Sequence, residues 1–191
     1  MVLVFASMIS LPSLSLPTRW TGHWSECGEK SKRLCPPRVQ SLTWPMWAAK
    51  VWTGSAVPLP LVKAVAAVET GGDAEVYSRK GDPAEIQRGA FSILCLEHGQ
   101  QRLHKRRRFS WLKWLRQADP ALRNIECKDL DRADWGSVFI QTVSAIRILE
   151  YMKGEKDYLW AATVPYAGKG QSKSEAAARR KMLVWGMEVL R

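Results

Sequence analysis

The stretch that decides the fold is Pro58-Leu59-Pro60-Leu61-Val62-Lys63-Ala64-Val65-Ala66-Ala67-Val68-Glu69-Thr70-Gly71-Gly72. It predicts a helix that starts near Pro60, because the first turn of a helix has no backbone hydrogen bond for proline to remove. Gly71 and Gly72 predict its end, since glycine readily adopts the left-handed conformation that closes a helix. Only Lys63 is charged before Glu69. The sequence therefore predicts a buried helix with one carboxylate at its C-terminal end.

Glu69 lies on the apolar face of this predicted helix. A period of 3.6 residues places it on the same stripe as Val62, Val65 and Ala66. Burial and the negative end of the helix dipole both disfavour the ionised carboxylate. The sequence thus predicts a carboxyl group that keeps its proton near neutral pH, as a general acid for glycosidic cleavage requires. The helix alone leaves a second interpretation open, a surface glutamate in a frayed last turn.

Residues 68–72, which read Val-Glu-Thr-Gly-Gly, resemble the catalytic-glutamate motif of the soluble (SLT-type) lytic transglycosylases of the lysozyme-like superfamily. Three further segments follow in the family's order, at residues 78–93, 140–149 and 159–170. The first resembles the family's Ser-x-x-Gly-Ala and Gly-Leu-Met-Gln block. The second resembles its Asn-Ile-x-Ala-Gly-x-x-Tyr-Leu helix, and the third its Leu-Ala-x-Ala-Tyr-Asn-x-Gly block.

This resemblance implies a mainly α fold of the α+β lysozyme-like type. It implies a compact helical domain in which a long loop or minimal β-hairpin, at residues 73–90, walls a glycan cleft. Residues 1–43 differ from the rest, since they are basic, contain glycine, proline and serine, and lack a regular hydrophobic period. The predicted organisation is an irregular N-terminal arm at residues 1–43, followed by the transglycosylase domain at residues 44–191.

The resemblance also implies the chemistry. Glu69 would protonate the oxygen between N-acetylmuramic acid and N-acetylglucosamine, and would then accept the muramyl 6-hydroxyl proton as a 1,6-anhydro ring closes. The family's tyrosine lies beside its acid, which here points to Tyr166, and Phe91, Ser92 and Gln141 would contact the substrate. Ser92 stands where the family usually has glutamine, and Gln141 stands where it has asparagine. No cofactor is implied.

Two other function classes remain open. A muramidase, the lysozyme-type hydrolase, needs a second carboxylate at a defined separation, and no motif places one here. A nucleic-acid-binding or structural virion protein would use residues 102–116, which hold seven basic residues and no acidic one, with Phe109, Trp111 and Trp114 among them. Clustered cations with aromatic rings are typical of nucleic-acid binding. The same segment could also be a solvated surface or an anion-attracting lip of the glycan cleft.

The predicted partners are peptidoglycan glycan strands, with the periplasm or cell wall as the site of action. A formal net charge of +11 favours anionic partners, without choosing between wall polymers and nucleic acid. Compact basic members of the family occur in phage particles and secretion systems. Residues 1–16 are a poor secretory signal, which favours a virion protein or export by another route. They are also too short and interrupted to span a bilayer.

Several side chains are predicted to be structural. The four cysteines are too few and too scattered to indicate a disulfide framework, and no disulfide is predicted or excluded. His23, Cys27 and Cys35 lack the tight pairs of a zinc site, so no metal is assigned. Cys95, within an apolar run, is predicted to be a small core residue. Trp47 and Trp52 are predicted to anchor the first helix, at residues 44–52, to the core. Further helices are predicted at residues 110–118, 134–153, 157–164 and 172–191.

Overall fold

A computed structural model describes residues 36–79, 86–95, 111–164 and 172–191. This part of the chain is mainly helical with a small antiparallel sheet, which confirms the predicted class at that level. Its helices are α1 (Pro36–Ser41), α2 (Thr43–Thr53), α3 (Leu59–Thr70), α4 (Trp111–Ala118), α5 (Trp135–Lys153), α6 (Tyr158–Thr163) and α7 (Lys173–Val189). Its strands are β1 (Tyr77–Arg79), β2 (Ile86–Arg88) and β3 (Ile93–Leu94), and single 3-10 turns lie at Pro120–Leu122 and Cys127–Leu130.

Helix α3 forms the centre of the core, as its sequence predicts. It begins directly after Pro58, and Gly71 closes it with a left-handed φ of 71°. Every residue from Leu61 to Val68 is buried. The long helix α7 packs along α3, and a Cβ at Gly186 would lie only 3.0 Å from the Ala64 Cβ atom. Glycine at this position therefore permits the close approach of the two helices.

Lys63 is the one charged side chain that α3 buries before its last turn. Its Nζ donates a hydrogen bond of 2.9 Å to the carbonyl oxygen of Leu190, which follows α7. Burial lowers the pKa of the Lys63 amine. The hydrogen bond satisfies a buried donor and fastens the end of α7 to α3.

The other helix boundaries follow local signals that the sequence displays. Asp134 caps α5 by accepting from the Ser137 backbone N–H at 3.0 Å, and Gly154 ends that helix. Asp157 caps α6. Ser172 and Glu175 form the predicted capping box at the start of α7. These predictions are confirmed because a cap depends on residues within one turn of each other.

The predicted anchoring role is wrong for Trp47, whereas Trp52 holds α2 through an edge contact with Phe139 and a hydrogen bond to Asp119, without being buried in the core. In α2 the inward side chains are Pro45, Met46 and Ala49, whereas Trp47 and Trp52 are 44% and 56% exposed. Trp47 stacks on the exposed Trp44 with ring centroids 5.0 Å apart, and the Trp52 indole N–H donates to Asp119 at 3.1 Å. The smaller residues of the same amphipathic pattern occupy the core instead.

Helix α1 lies within the stretch predicted to be an irregular arm. Its Val39 is fully buried, and a Cβ at Gly72 would approach the Val39 Cγ2 atom to 2.7 Å. The end of the arm therefore packs against the end of α3. Six residues are too few to display a helical period, which is why the sequence did not indicate this helix. Residues 1–35 lie outside the described part.

Three short strands form an antiparallel sheet in the order β1-β2-β3, with Tyr77 opposite Arg88 and Gln87 opposite Leu94. The sequence predicts a loop here, with at most a short hairpin. Strands of two or three residues are too short to show an alternating pattern. The sheet brings the turn between β2 and β3 back to the end of α3.

Cys95 is buried as predicted, but it forms a disulfide with Cys127, so it is not merely a small core side chain. The bond joins the end of the β3 strand to the 3-10 turn Cys127–Leu130. Partners separated by 32 residues in the chain share no local spacing signal. Within the four described ranges, no helix is both long and apolar enough to cross a membrane.

Candidate functional site

Glu69 lies in the last turn of α3, beside the turn that connects β2 and β3. We call residues 89–93 the site loop. The hydroxyl of Thr70 donates to the Ala90 carbonyl oxygen at 2.8 Å, while its distance to the Ala66 carbonyl oxygen is 3.3 Å. The residue next to the candidate acid thus fastens the site loop to the end of the helix.

Gln141, a predicted substrate contact, has a structural role here. Its side chain is fully buried, and Oε1 accepts from the Ala90 backbone N–H at 2.9 Å. Its Nε2 donates to the carbonyl oxygens of Ala74 and Arg132 at 3.1 and 2.8 Å. An amide that is buried and bonded at both ends presents no surface to a sugar. Gln141 instead holds the site loop in place.

Gly89 explains how Gln141 can approach the loop so closely. Its φ is +69°, and an added Cβ would lie 2.6 Å from Gln141 Oε1 and would also contact the Leu130 carbonyl oxygen. A side chain at this position would displace the amide from its three hydrogen bonds. Gly89 and Gln141 therefore form one packing unit between α5 and the sheet.

Phe91 and Ser92 differ in what they can contact. Phe91 is fully buried, so its side chain anchors the site loop and offers no exposed ring to a substrate, contrary to the prediction. Ser92 is partly exposed and has a φ of +50°, an uncommon conformation for a residue other than glycine. Its N–H donates to the Gly89 carbonyl oxygen at 3.1 Å. Ser92 therefore remains the candidate substrate contact, and Tyr166 lies outside the described residues.

Arg179 of α7 forms an ion pair with Glu69. Its Nη2 donates to Glu69 Oε1, and its Nε donates to the Ala162 carbonyl oxygen of α6 at 2.8 Å. The two side chains keep small exposed fractions, 12% for Arg179 and 14% for Glu69. A neighbouring guanidinium stabilises an ionised carboxylate, which opposes the effects predicted from the helix alone. Arg179 is 110 residues away, in a charged stretch that carries no motif.

A muramidase would need a second carboxylate near Glu69. Asp73 follows α3 closely, but its Oδ2 pairs with Arg38 at 3.6 Å and its Oδ1 accepts from the Glu75 N–H at 3.0 Å. Three further acidic residues in or after the loop that follows α3, Asp82, Glu85 and Glu97, lie outside the described residues. In the part of the chain that the structure describes, no group of histidine, cysteine, aspartate or glutamate residues is arranged to hold a metal ion.

Only the end of the basic segment 102–116 is described. Trp111 and Trp114 pack edge-on, with centroids 5.6 Å apart, and both contact Tyr151. Arg116 donates to the Ile125 carbonyl oxygen through Nε and Nη2 at 2.9 and 2.6 Å. These described side chains of the segment therefore serve packing.

An open cleft of about 370 Å³ lies beside this aromatic cluster. Its lining residues are Trp114, Gln117, Ala118, Arg147, Glu150 and Tyr151. Its two charged side chains bind each other, because Arg147 Nη1 donates to Glu150 Oε2 at 2.7 Å. The cleft is separate from the site loop in the fold and offers no carboxylate that lacks a cationic partner.

Comparison with models of known protein families, with curated proteins and with solved structures finds no match to this chain. The family resemblance of residues 68–72 and of the three later segments accordingly stays a prediction.

Proposed function

We propose that this chain is a lytic transglycosylase of peptidoglycan, with a lysozyme-like fold and Glu69 as its acid and base. One observation carries the proposal: a carboxylate with 14% exposure ends a buried helix, and the next residue, Thr70, binds the site loop at 2.8 Å. A general acid needs such a position, because it must be shielded from water and still reach a substrate.

The reaction needs a single protein carboxylate. Protonated Glu69 gives its proton to the glycosidic oxygen, and the bond from that oxygen to the muramyl anomeric carbon breaks. The substrate's N-acetyl oxygen supports the cationic carbon. The ionised Glu69 then accepts the proton of the muramyl 6-hydroxyl, and the oxygen of that hydroxyl bonds to the anomeric carbon. Glu69 ends in the protonated state in which it began, and no water is consumed.

A single-carboxylate mechanism suits the described residues better than hydrolysis. Asp73, the described acidic residue that follows Glu69 most closely in the chain, accepts one hydrogen bond from the Glu75 backbone N–H and pairs with Arg38. A muramidase would need a second carboxylate on the opposite side of the sugar. The transglycosylase reaction replaces that group with the substrate's own acetamide and 6-hydroxyl.

The proposed partners are the glycan strands of peptidoglycan, and the proposed site of action is the periplasm or cell wall. The Cys95–Cys127 disulfide supports this location, because such bonds persist in oxidising compartments. A place in a phage particle or a secretion assembly is compatible with the same chemistry. Such assemblies need only local cleavage of the wall.

Mass spectrometry of the muropeptides released from purified peptidoglycan tests the proposal. Wild type should release 1,6-anhydromuropeptides, Glu69→Gln should release them at least about a hundredfold more slowly, and Glu75→Gln, which changes an exposed carboxylate, should behave as wild type. Products with reducing muramic acid ends would indicate a muramidase instead. Absence of products with folded wild-type protein, or undiminished cleavage by Glu69→Gln, would contradict the proposal.

A further inference from the structure

Arg179 lies directly against the carboxylate of the candidate acid, Glu69. Its guanidinium joins Glu69 at the end of α3 to the Ala162 carbonyl oxygen of α6. These two acceptors use Nε and Nη2. Among the described residues none accepts a hydrogen bond from Nη1, although a guanidinium offers donors on all three nitrogens. One edge of Arg179 therefore keeps donors for a further acceptor.

This arrangement conflicts with an acid role for Glu69 as long as the pair stays closed. A carboxylate beside a guanidinium is stabilised in its ionised form and cannot give a proton. A general acid has to become protonated before it acts. A second carboxylate that binds Arg179 in a two-pronged way would use Nη1 together with Nη2, and it would therefore compete with Glu69 for Nη2.

We propose that Arg179 determines specificity by binding a carboxylate of the glycan substrate, which draws the guanidinium away from Glu69. This inference rests on the proposed function. Arginine recognises carboxylates in a planar, two-pronged geometry that lysine cannot reproduce. The carboxylate comes from the lactyl group of the muramyl residue or from its attached peptide. A neutral glycan lacks this group and leaves the Glu69 pair closed.

If Glu69 and the substrate carboxylate compete for the Arg179 guanidinium, removal of the Glu69 carboxylate should strengthen substrate binding. Glu69→Gln should bind an anionic glycan about tenfold more tightly than wild type, since a charged hydrogen bond no longer has to be broken. It should bind a neutral glycan as wild type does. An arginine that only clamps α3, α6 and α7 together would give no such difference.

Isothermal titration calorimetry can measure this effect with three soluble probes. They are a tetrasaccharide of alternating N-acetylglucosamine and N-acetylmuramic acid, the same tetrasaccharide with its lactyl carboxylates converted to neutral amides, and the peptide-bearing form. The proteins are wild type, Glu69→Gln, Arg179→Met and Arg179→Lys. Wild type should prefer the anionic to the neutral tetrasaccharide by about tenfold. Preference only for the peptide-bearing form would assign the carboxylate to the peptide.

Arg179→Met should bind all three probes equally, and Arg179→Lys should keep part of the preference while retaining the charge that the fold uses. Equal affinity of wild type for all probes, or a preference that survives Arg179→Met, would overturn the inference. Preference without release of anhydromuropeptides would leave carboxylate binding intact and reject the proposed reaction. Release of anhydromuropeptides without a preference for the anionic probe would support the proposed reaction and reject carboxylate binding by Arg179.

Discussion

Two arginine–carboxylate pairs in this molecule use the same groups in different surroundings. Asp119 has a side chain that is 1% exposed, and it accepts from the Trp52 indole, the Ala121 N–H and Arg147. Arg147 also binds Glu150. Arg147 also lines the open cleft, but Asp119 itself is enclosed by its partners from α2, α5 and the Pro120–Leu122 turn, so a molecule in the cleft could reach the guanidinium and not this carboxylate.

The Glu69–Arg179 pair has the more accessible carboxylate of the two. Its carboxylate is 14% exposed, lies in the last turn of α3 and is next to the residue that binds the site loop. The chemical groups do not distinguish the two pairs, because each is a carboxylate bound to a guanidinium. Access does, which is why Glu69 and not Asp119 is the proposed catalytic carboxylate.

The largest expected difference between the pairs is in activity. Glu69→Gln should lower anhydromuropeptide release by about 10²–10⁴-fold, the range that a general acid or base contributes. Asp119→Asn keeps the shape of the side chain and should leave the rate per folded molecule within about twofold, since the partners of Asp119 are Trp52, Ala121 and Arg147 and none belongs to the site loop. Initial rates on purified peptidoglycan compare them. Similar losses in both variants would remove the distinction.

Stability should rank the pairs in the opposite order. Arg147→Met leaves the buried Asp119 charge without its cation and should lower the free energy of unfolding by about 3–5 kcal/mol. Arg179→Met should lower it by about 1–2 kcal/mol, because water can reach the Glu69 carboxylate. Urea unfolding followed by circular dichroism measures both changes. A larger loss in Arg179→Met would mean that the Glu69 pair is mainly a structural clamp.

The contribution of the disulfide to stability can be compared with the losses expected for Arg147→Met and Arg179→Met. It closes a loop with a sequence separation of 32, for which chain entropy predicts a contribution of about 3–4 kcal/mol to the free energy of unfolding. The double variant Cys95→Ala/Cys127→Ala should lose this amount in urea unfolding. Reductant should destabilise wild type more than the double variant, which lacks this bond and serves as the control.

The smallest effect is a dependence of stability on pH in the Asp119–Arg147 pair. Burial raises the pKa of Asp119, but hydrogen bonds from Trp52, Ala121 and Arg147 outweigh it and hold the pKa below its ordinary value of 3.8. The stabilisation is therefore complete above that value and is lost as pH falls from about 4 through the lower pKa of the folded state. Each unit of difference contributes about 1.4 kcal/mol.

Unfolding free energies measured from pH 5 to pH 2 should fall more steeply in wild type than in Asp119→Asn. The amide has no proton to take up, so the variant loses this part of the slope. Parallel curves for the two proteins would show that Asp119 does not titrate differently in the folded and unfolded states.

Features of the fold and of the candidate site could be predicted from the sequence when the interacting residues lie close together in the chain. The caps at Asp134, Gly154 and Ser172 involve neighbours within a turn, so the sequence displays them. The placement of Glu69 at the end of a buried helix is equally local. The Arg179 partner and the Cys95–Cys127 bond join residues 110 and 32 positions apart, which only the folded chain brings together.

Gln141 shows a different kind of limit. Its position in a segment that resembles the family predicted a contact with the substrate. A side-chain amide that is buried and hydrogen-bonded inside the protein cannot also bind a sugar. Burial decides between them, and burial of one residue depends on the whole of α5, the sheet and Gly89. The same holds for Trp47 and Trp52, whose helix was predicted correctly but whose orientation was not.

The Cys95–Cys127 bond has a consequence for cleavage of the chain itself. Both ends of residues 96–126 are joined by it, so a protease that cuts once after Arg106 or Arg107 produces two polypeptides that remain one molecule. Such a nicked protein would migrate near the size of the intact 21.6 kDa chain without reductant and separate into two bands with it. Fragments cut in the basic segment are therefore covalently retained.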